Sequence, residues 1–296
     1  MNLQKKYIKE RLNRTNTTDE KINTLHKDES KSTNMAPRPG TKHAKQVYEC
    51  LSSRHFSLTR KKTILQTFLK KYDEAVLIKS KKKQGGNAEF IKEDKWINND
   101  MPREVNERGF MTRDELIRLM NWKLHHGKFR GTLKGNIQKN IAASVQSISK
   151  ITVDMMKKVN ADTESISEES KKNAIKQFAK LVSVGPATAS AFLSFMYPKN
   201  FAFMSDEPLE AITGRREWKL NEYLSYNEIV IEISEQFNDE NITPLQIEKA
   251  LWCAGQIGFD SSDNDHSDGS SSSSKRKSAN SGNSNNGSGG NKRRKA

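Results

Sequence analysis

Apolar residues recur every three to four positions through the middle of the chain, which is the spacing of one buried face of an α-helix. No segment shows the strict alternation that is typical of a β-strand, so the sequence predicts an all-α domain. The segments that carry the helical pattern are 47–51, 64–69, 116–120, 137–148, 175–182, 220–233 and 247–254.

Several helix ends are marked by their own residues. Glu115 lies three positions after Thr112, and Gln246 lies three positions after Thr243. Each pair predicts a capping box at a helix start. Gly255 and Gly258 are expected to end the last helix. A short helix is expected over 208–212 and a longer one over 219–237.

The segment 175–197 predicts two helices joined by a tight turn. Gly185 tolerates a positive φ and is expected to stop the first helix, while Pro186 suits the first position of the second. Three alanines follow at alternate positions, and Pro198 ends the second helix. Such a turn exposes backbone N–H groups that suit a phosphate oxygen. The alternative is an ordinary αα-hairpin that only packs. The residues expected to contact a strand are Ser183, Val184, Gly185, Ala187 and Thr188.

The hairpin resembles the helix-hairpin-helix of the base-excision DNA glycosylase superfamily, through Leu181-Val182-Ser183-Val184-Gly185-Pro186-Ala187-Thr188-Ala189. In that superfamily the hairpin grips one DNA strand and a loop beyond it supplies a catalytic aspartate. The resemblance implies this role for Asp206. Over residues 45–258 the chain is most similar to the Amun-like eukaryotic proteins, through 121–124, 127–130, 205–207 and 250–252.

The chain departs from the superfamily pattern at three places. Ser183 stands where glycine is usual, and Ala187 stands where backbone-cleaving members carry a lysine. The His and Arg that commonly follow the aspartate are absent after Asp206. Since alanine cannot form a Schiff base, the resemblance implies a monofunctional N-glycosylase. The alternative is a catalytically inactive DNA- or chromatin-binding protein with the same fold, and a helical scaffold is a third interpretation.

A basic and aromatic segment, 122–130, supplies further candidates for the site. Lys123, Lys128 and Arg130 are expected to contact phosphates. Trp122, with Tyr197 and Trp218, is a candidate lining of a base pocket, although a core role for Trp122 explains its spacing equally well.

The segment around Asp206 has two interpretations as well. Ser205-Asp206-Glu207-Pro208 is typical of a helix N-terminus, with a capping serine and a proline just inside. Capping and catalysis do not exclude each other at this position.

The net charge of +15 favours a polyanionic partner, but it is concentrated at the chain ends. Residues 1–45 hold 11 basic and 5 acidic side chains, and residues 261–296 hold 7 and 3. Both ends are poor in apolar residues, so 1–44 and 260–296 are expected to be disordered basic tails around a domain at 45–259. A mitochondrial presequence is the alternative for the first.

Two basic clusters in the last segment, 275–277 and 292–295, resemble a bipartite nuclear localisation signal. They predict a nuclear protein that binds an import receptor, and a purely solubilising tail is the alternative. No membrane partner is expected. The two cysteines, Cys50 and Cys253, exclude a four-cysteine iron–sulfur loop, and His125 and His126 face different ways on a helix. We therefore expect no cofactor and no metal.

Overall fold

The computed structural model describes residues 40–82, 88–162 and 166–259. Within these ranges the secondary structure is helical and contains no strand, which confirms the all-α prediction. The two predicted tails and the basic clusters at 275–277 and 292–295 lie outside the described residues, apart from 40–44 of the first tail. The first described helix begins at Thr41.

The helices follow one another with short connections. They are α1 (Thr41–Ser52), α2 (Leu58–Lys70), α3 (Tyr72–Lys81), α4 (Ala88–Lys95), a π-helical turn (Trp96–Asp100), α5 (Met101–Arg108), α6 (Arg113–His126), α7 (Gly131–Ile137), α8 (Ala142–Asp162), α9 (Glu168–Phe178), α10 (Pro186–Met196), α11 (Asp206–Thr213), α12 (Leu220–Glu235) and α13 (Pro244–Ile257).

The last helix, α13, is the central element of the packing. It contacts α1, α2, α3, α10, α11 and α12. A helix surrounded on several sides must be apolar around most of its circumference. Accordingly Ile247, Ala250, Leu251, Trp252 and Cys253 are all fully excluded from solvent.

Both predicted capping boxes are present. The Thr112 hydroxyl accepts from the Glu115 backbone N–H at 3.3 Å, and the Glu115 carboxylate accepts from the Thr112 N–H at 2.7 Å. Thr243 and Gln246 exchange the same two bonds at 3.3 and 3.1 Å. These bonds satisfy N–H groups that have no partner inside the helix.

The prediction that Gly255 ends α13 is wrong, because the helix continues to Ile257 and Gly258 follows it at φ +96°. Gly255 instead faces Gly40, whose lack of a side chain permits a close approach between the two backbones. A Cβ placed on Gly40 would lie 2.3 Å from the Gly255 carbonyl oxygen. The Phe259 N–H also donates to His43 Nδ1 at 3.1 Å. The first and last described residues are therefore neighbours.

The hairpin between α9 and α10 lies where it was predicted, but Gly185 is not the left-handed residue that ends the first helix. Gly185 is extended, with φ −102°, and the left-handed residue is Ser183 at φ +62°. Asn140 holds the turn from the side, since its amide accepts from the Val182 N–H at 2.8 Å and donates to the Val182 carbonyl at 3.0 Å. Fixing the backbone on both sides of Val182 leaves Ser183 to supply the reversal.

Replacing Ser183 by glycine should stabilise the protein. A left-handed conformation costs an ordinary L-residue about 1–2 kcal/mol, and glycine avoids most of this cost at some expense in chain entropy. We expect the free energy of unfolding in urea to rise by about 0.5–1 kcal/mol. Ser53→Gly is the matched control, because Ser53 has φ −59°. It should be neutral or destabilising, and equal effects at both sites would contradict the argument.

Candidate functional site

A cleft opens where the end of α6 faces the starts of α10 and α11. Its lining includes Lys123, Gly127 and Ala187, together with Asp206 and Trp218. The first two belong to the end of α6, Ala187 to the first turn of α10 and Asp206 to the first residue of α11. The cleft thus joins the hairpin to the predicted catalytic residue.

Asp206 is half-buried, and both oxygens of its carboxylate accept hydrogen bonds. Oδ2 accepts from the backbone N–H of Lys128 at 3.1 Å, and Oδ1 accepts from the indole N–H of Trp218 at 3.2 Å. Gly127 lies so close that a Cβ there would be 3.2 Å from Oδ2. The carboxylate is therefore held in one orientation at the edge of the cleft.

The residue before Asp206 shows how this position is fixed. Ser205 is the N-cap of α11, but its side chain makes no capping bond. Its hydroxyl donates instead to the Glu248 carboxyl on the central helix α13. Met204, one residue earlier, donates its N–H to the Ser190 hydroxyl on α10 at 3.0 Å. Buried side chains on two helices thus hold the segment that carries Asp206.

Glu248 is almost completely buried, at 1% exposure. Burial raises the pKa of its carboxyl to about 8, although the hydrogen bond from Ser205 and the charge of Lys249 act in the opposite direction. A carboxyl in this environment is protonated at neutral pH. It can then accept from Ser205 without placing an unpaired charge in the core.

Three predicted phosphate contacts, Lys123, Lys128 and Arg130, all line the cleft. Asp206 is the acidic residue among its lining side chains, so cations outnumber anions by three to one. The Arg130 guanidinium lies over the Trp218 ring, 4.6 Å from its centroid. This surplus of positive charge would attract a polyanion.

Lys123 differs from the other two cations. Its side chain is half-buried, and burial lowers the pKa of its amine to about 8. The charge of Arg130 acts in the same direction, whereas that of Asp206 opposes it. Desolvation penalises the charged form of an amine, so Lys123 is poised to lose its proton near neutral pH.

Only one of the three predicted base-pocket residues lines the cleft. Trp218 does, but Trp122 is 1% exposed and donates its indole N–H to Asp94 at 2.8 Å in the core. Tyr197 is also buried, and its hydroxyl donates to the Val153 carbonyl at 3.4 Å. We therefore correct the prediction for Trp122 and Tyr197, because aromatic side chains at core spacing were mistaken for a pocket wall.

The predicted hairpin contacts fall into two groups. The N–H of Val184 bonds to Leu181 and that of Thr188 bonds to Gly185, at 3.1 and 3.0 Å. Ser183, Gly185 and Ala187 have backbone N–H groups with no hydrogen-bond partner among the described residues. These three amides are the ones available to an anion.

Sequence reasoning did not identify His126 as a residue that shapes the cleft. His126 lines the cleft, is 2% exposed and stacks on Trp252 with ring centroids 4.1 Å apart. Burial, helped by the charges of Lys79 and Lys249, holds the pKa of its imidazole well below the usual range. A neutral, stacked histidine shapes the wall without adding charge.

The cleft is narrow in this conformation. Its free volume is about 30 Å³, which accommodates about two water molecules. Small-molecule pockets are usually some ten times larger or more. A nucleobase would therefore enter only if side chains that line the cleft moved.

The comparisons with protein-family models, curated protein sequences and solved structures give no match to this chain. Among the described residues, no helix has both the length and the apolar character needed to cross a bilayer. Within the same ranges, no group of three His, Cys, Asp or Glu side chains is placed to hold a metal ion.

The buried Glu248 carboxyl predicts a specific pH dependence of stability. Folded Glu248 stays protonated up to about pH 8, whereas the unfolded residue ionises near its ordinary value of 4.5. The wild-type protein should therefore lose stability as the pH rises from about 4.5 to 8. Glu248→Gln cannot ionise, so its free energy of unfolding relative to wild type should rise by about 2–4 kcal/mol between pH 5 and pH 8.

Urea unfolding at several pH values measures this difference. Glu240→Gln is the control because the Glu240 side chain is 81% exposed, and it should stay within about 0.5 kcal/mol of wild type throughout. Parallel pH profiles for wild type and Glu248→Gln would show that the buried carboxyl is already ionised.

Adding a methyl group at Gly127 should disturb Asp206. The new Cβ would lie 3.2 Å from Asp206 Oδ2, which is tighter than ordinary contact. We expect Gly127→Ala to destabilise the protein by about 1–3 kcal/mol. Gly135→Ala is the control, because nothing lies within 4 Å of its added Cβ and alanine at this helical position should be neutral or stabilising. Thermal unfolding should give a melting temperature below that of wild type for Gly127→Ala but not for Gly135→Ala, and a wild-type value for Gly127→Ala would mean that Asp206 moves aside freely.

Proposed function

We propose that this chain is a nuclear DNA-binding protein that removes a base from DNA as an N-glycosylase. Asp206 is the catalytic residue, and the hairpin and the cationic rim of the cleft hold the strand. The proposal extends the resemblance to helix-hairpin-helix glycosylases, and nuclear localisation would follow from an import receptor that recognises 275–277 and 292–295.

The observation that carries the proposal is that Ala187 belongs both to the hairpin and to the lining of the cleft. This residue lies in the first turn of α10, where its N–H has no partner among the described residues, and it also lines the cleft that contains Asp206. A strand whose phosphate accepts from the hairpin amides would therefore pass the mouth of the cleft. The cations Lys123, Lys128 and Arg130 border the same opening.

The chemistry requires little beyond a fixed carboxylate. An N-glycosidic bond breaks with positive charge developing on the sugar, so Asp206 would stabilise that charge or orient the attacking water. The hydrogen bonds from Lys128 and Trp218 hold the carboxylate in place at the edge of the cleft. The target base must first leave the helical stack, at a cost of a few kcal/mol.

The narrowness of the cleft favours a second candidate function. With a free volume of about 30 Å³, the site as it stands has no room for a base. A protein that kept the hairpin and the basic rim but never admitted a base would bind DNA without cleaving it. This alternative keeps every contact of the first proposal except the one between Asp206 and a sugar.

Duplexes with different damaged or mismatched bases separate the two candidates. The full chain is incubated with each duplex, and hot alkali converts abasic product into strand breaks. For the right base, wild type should give breaks and Asp206→Asn should be slower by about 10²-fold or more. Asp154→Asn is the control, because Asp154 is an exposed partner of Lys150 on α8. Binding without breaks on every duplex would favour the non-catalytic protein.

Salt dependence tests the phosphate contacts. The logarithm of the binding constant should fall linearly with the logarithm of salt concentration, by about 0.9 for each neutralised phosphate. Lys128→Gln should therefore reduce the slope by about 0.9. Lys199→Gln is the control, since this exposed residue follows the opposite end of α10, about 16 Å from the hairpin. A slope that neither substitution changes would argue against DNA contact at this cleft.

A further inference from the structure

A polar cluster lies where the π-helical turn Trp96–Asp100 meets the central helix α13. Lys249 on α13 donates a hydrogen bond from its Nζ atom to Oδ1 of Asn98, in the middle of the turn. The Asn98 amide nitrogen in turn lies 3.1 Å from Oδ2 of Asp94. An amine, a carboxamide and a carboxyl group are therefore in direct succession. None of the three residues lines the cleft that contains Asp206.

The backbone is irregular at this point. The π-helical turn follows α4 directly and leads into α5, and such turns are rare and occur frequently at functional sites. Asn98 is its central residue, and its amide nitrogen also donates to the Asp94 carbonyl oxygen at 2.7 Å. These bonds orient the Asn98 side chain, so that its own carbonyl group faces Lys249.

The surroundings of the cluster are largely aromatic. The Lys249 Nζ atom lies 5.1 Å from the ring centroid of Tyr72 and 5.3 Å from that of Phe195. Asp94 is 4% exposed and accepts from the Tyr72 hydroxyl at 3.1 Å and from the Trp122 indole at 2.8 Å. A desolvated lysine normally pairs with a carboxylate. Here the hydrogen bond of the amine goes to a neutral amide instead.

Burial shifts the amine and the carboxyl group towards their uncharged forms. It lowers the pKa of the Lys249 amine, against the charge of Asp94. It raises the pKa of the Asp94 carboxyl, although the hydrogen bonds to this group and the charge of Lys249 act in the opposite direction. An uncharged amine is the form that attacks a carbonyl carbon, and an uncharged carboxylic acid is the form that protonates a leaving group.

We propose that Lys249 and Asn98 join in an intramolecular isopeptide bond, with Asp94 as the acid–base catalyst of its formation. The bond connects the π-helical turn to α13 across 151 positions of the sequence. The loop that it closes contains α6, α10 and α11, whose ends form the cleft. The inference does not depend on base removal at that cleft.

The reaction balances without an oxidant, a reductant or a second substrate. The Lys249 Nζ lone pair adds to Cγ of Asn98, and the present contact with Oδ1 requires only a small shift because one bond of about 1.2 Å joins the two atoms. Asp94 gives its proton to Nδ2, the Cγ–Nδ2 bond breaks and ammonia leaves. The Asp94 carboxylate then accepts one of the two protons on Nζ. A new amide and ammonia thus replace the original amide and amine.

Mass spectrometry of the full-length wild-type protein tests the inference. The denatured chain should be lighter than its sequence requires by one molecule of ammonia, and digestion should release a branched peptide that joins the segments around Asn98 and Lys249. Under reducing, denaturing conditions the cross-linked chain should migrate faster in a gel than Lys249→Met, because the closed loop cannot extend. Lys199→Met is the matched control, since this exposed lysine lies outside the cluster, and it should keep the cross-link.

The role of Asp94 has its own pair of variants. Asp94→Asn should reduce the fraction that is cross-linked after a fixed time by about 10²-fold or more. Asp100→Asn should match wild type, because this side chain belongs to the same turn but is 51% exposed and pairs with Arg103. Equal cross-linking in Asp94→Asn and wild type would overturn the assignment of the catalyst.

Two results for the wild-type protein overturn the bond itself. One is a mass that still equals the sequence mass after prolonged incubation at neutral pH. The other is a loss of ammonia that maps to a cyclised asparagine alone, or that persists in Lys249→Met. Mapping the wild-type chain requires no substitution, so a misfolded variant does not obscure the answer.

Discussion

The buried hydrogen bond between Ser205 and Glu248 is the interaction on which the site depends. Glu248 belongs to α13, the helix that packs against α1, α2, α3, α10, α11 and α12, and Ser205 immediately precedes Asp206. A nearby bond from Met204 to Ser190 ties the same segment to α10. The core thus fixes the backbone that carries Asp206, while Lys128 and Trp218 orient its carboxylate. A precisely oriented reactive group requires this kind of support.

Burial acts on the acidic and basic groups near the cleft in opposite ways. It keeps Glu248 protonated, so that the central helix carries a hydrogen-bond acceptor instead of a charge, and it pushes Lys123 towards a neutral amine. Asp206 is only half-buried, and its carboxylate accepts hydrogen bonds from two donors at the edge of the cleft. Burial thus shifts the pKa of Glu248 and of Lys123 in opposite directions within one region, and perturbed groups of this kind gather at functional sites.

Much of the fold followed from the sequence because its signals are local. Thr112 and Thr243 mark helix starts through bonds that span only three residues, and the helical period of the apolar residues requires no knowledge of partners. Long-range packing decided the rest. Trp122 is a residue type that often lines pockets, but its indole N–H donates a hydrogen bond in the core to Asp94, which lies 28 positions away in the sequence. The role of Glu248 was equally hidden, since a glutamate on a helix is normally exposed. The chain reverses at Ser183 rather than at the predicted Gly185, because Asn140 fixes the backbone of the neighbouring Val182.

The contact between Gly40 and Gly255 has a consequence for the whole chain. Because the two backbones nearly touch and Phe259 bonds to His43, the flanking segments 1–39 and 260–296 are attached at almost the same point. Each is rich in lysine and arginine. A ligand that contacted both segments would therefore be held at one side of the domain, where the two points of attachment lie together, and the two contacts would reinforce each other.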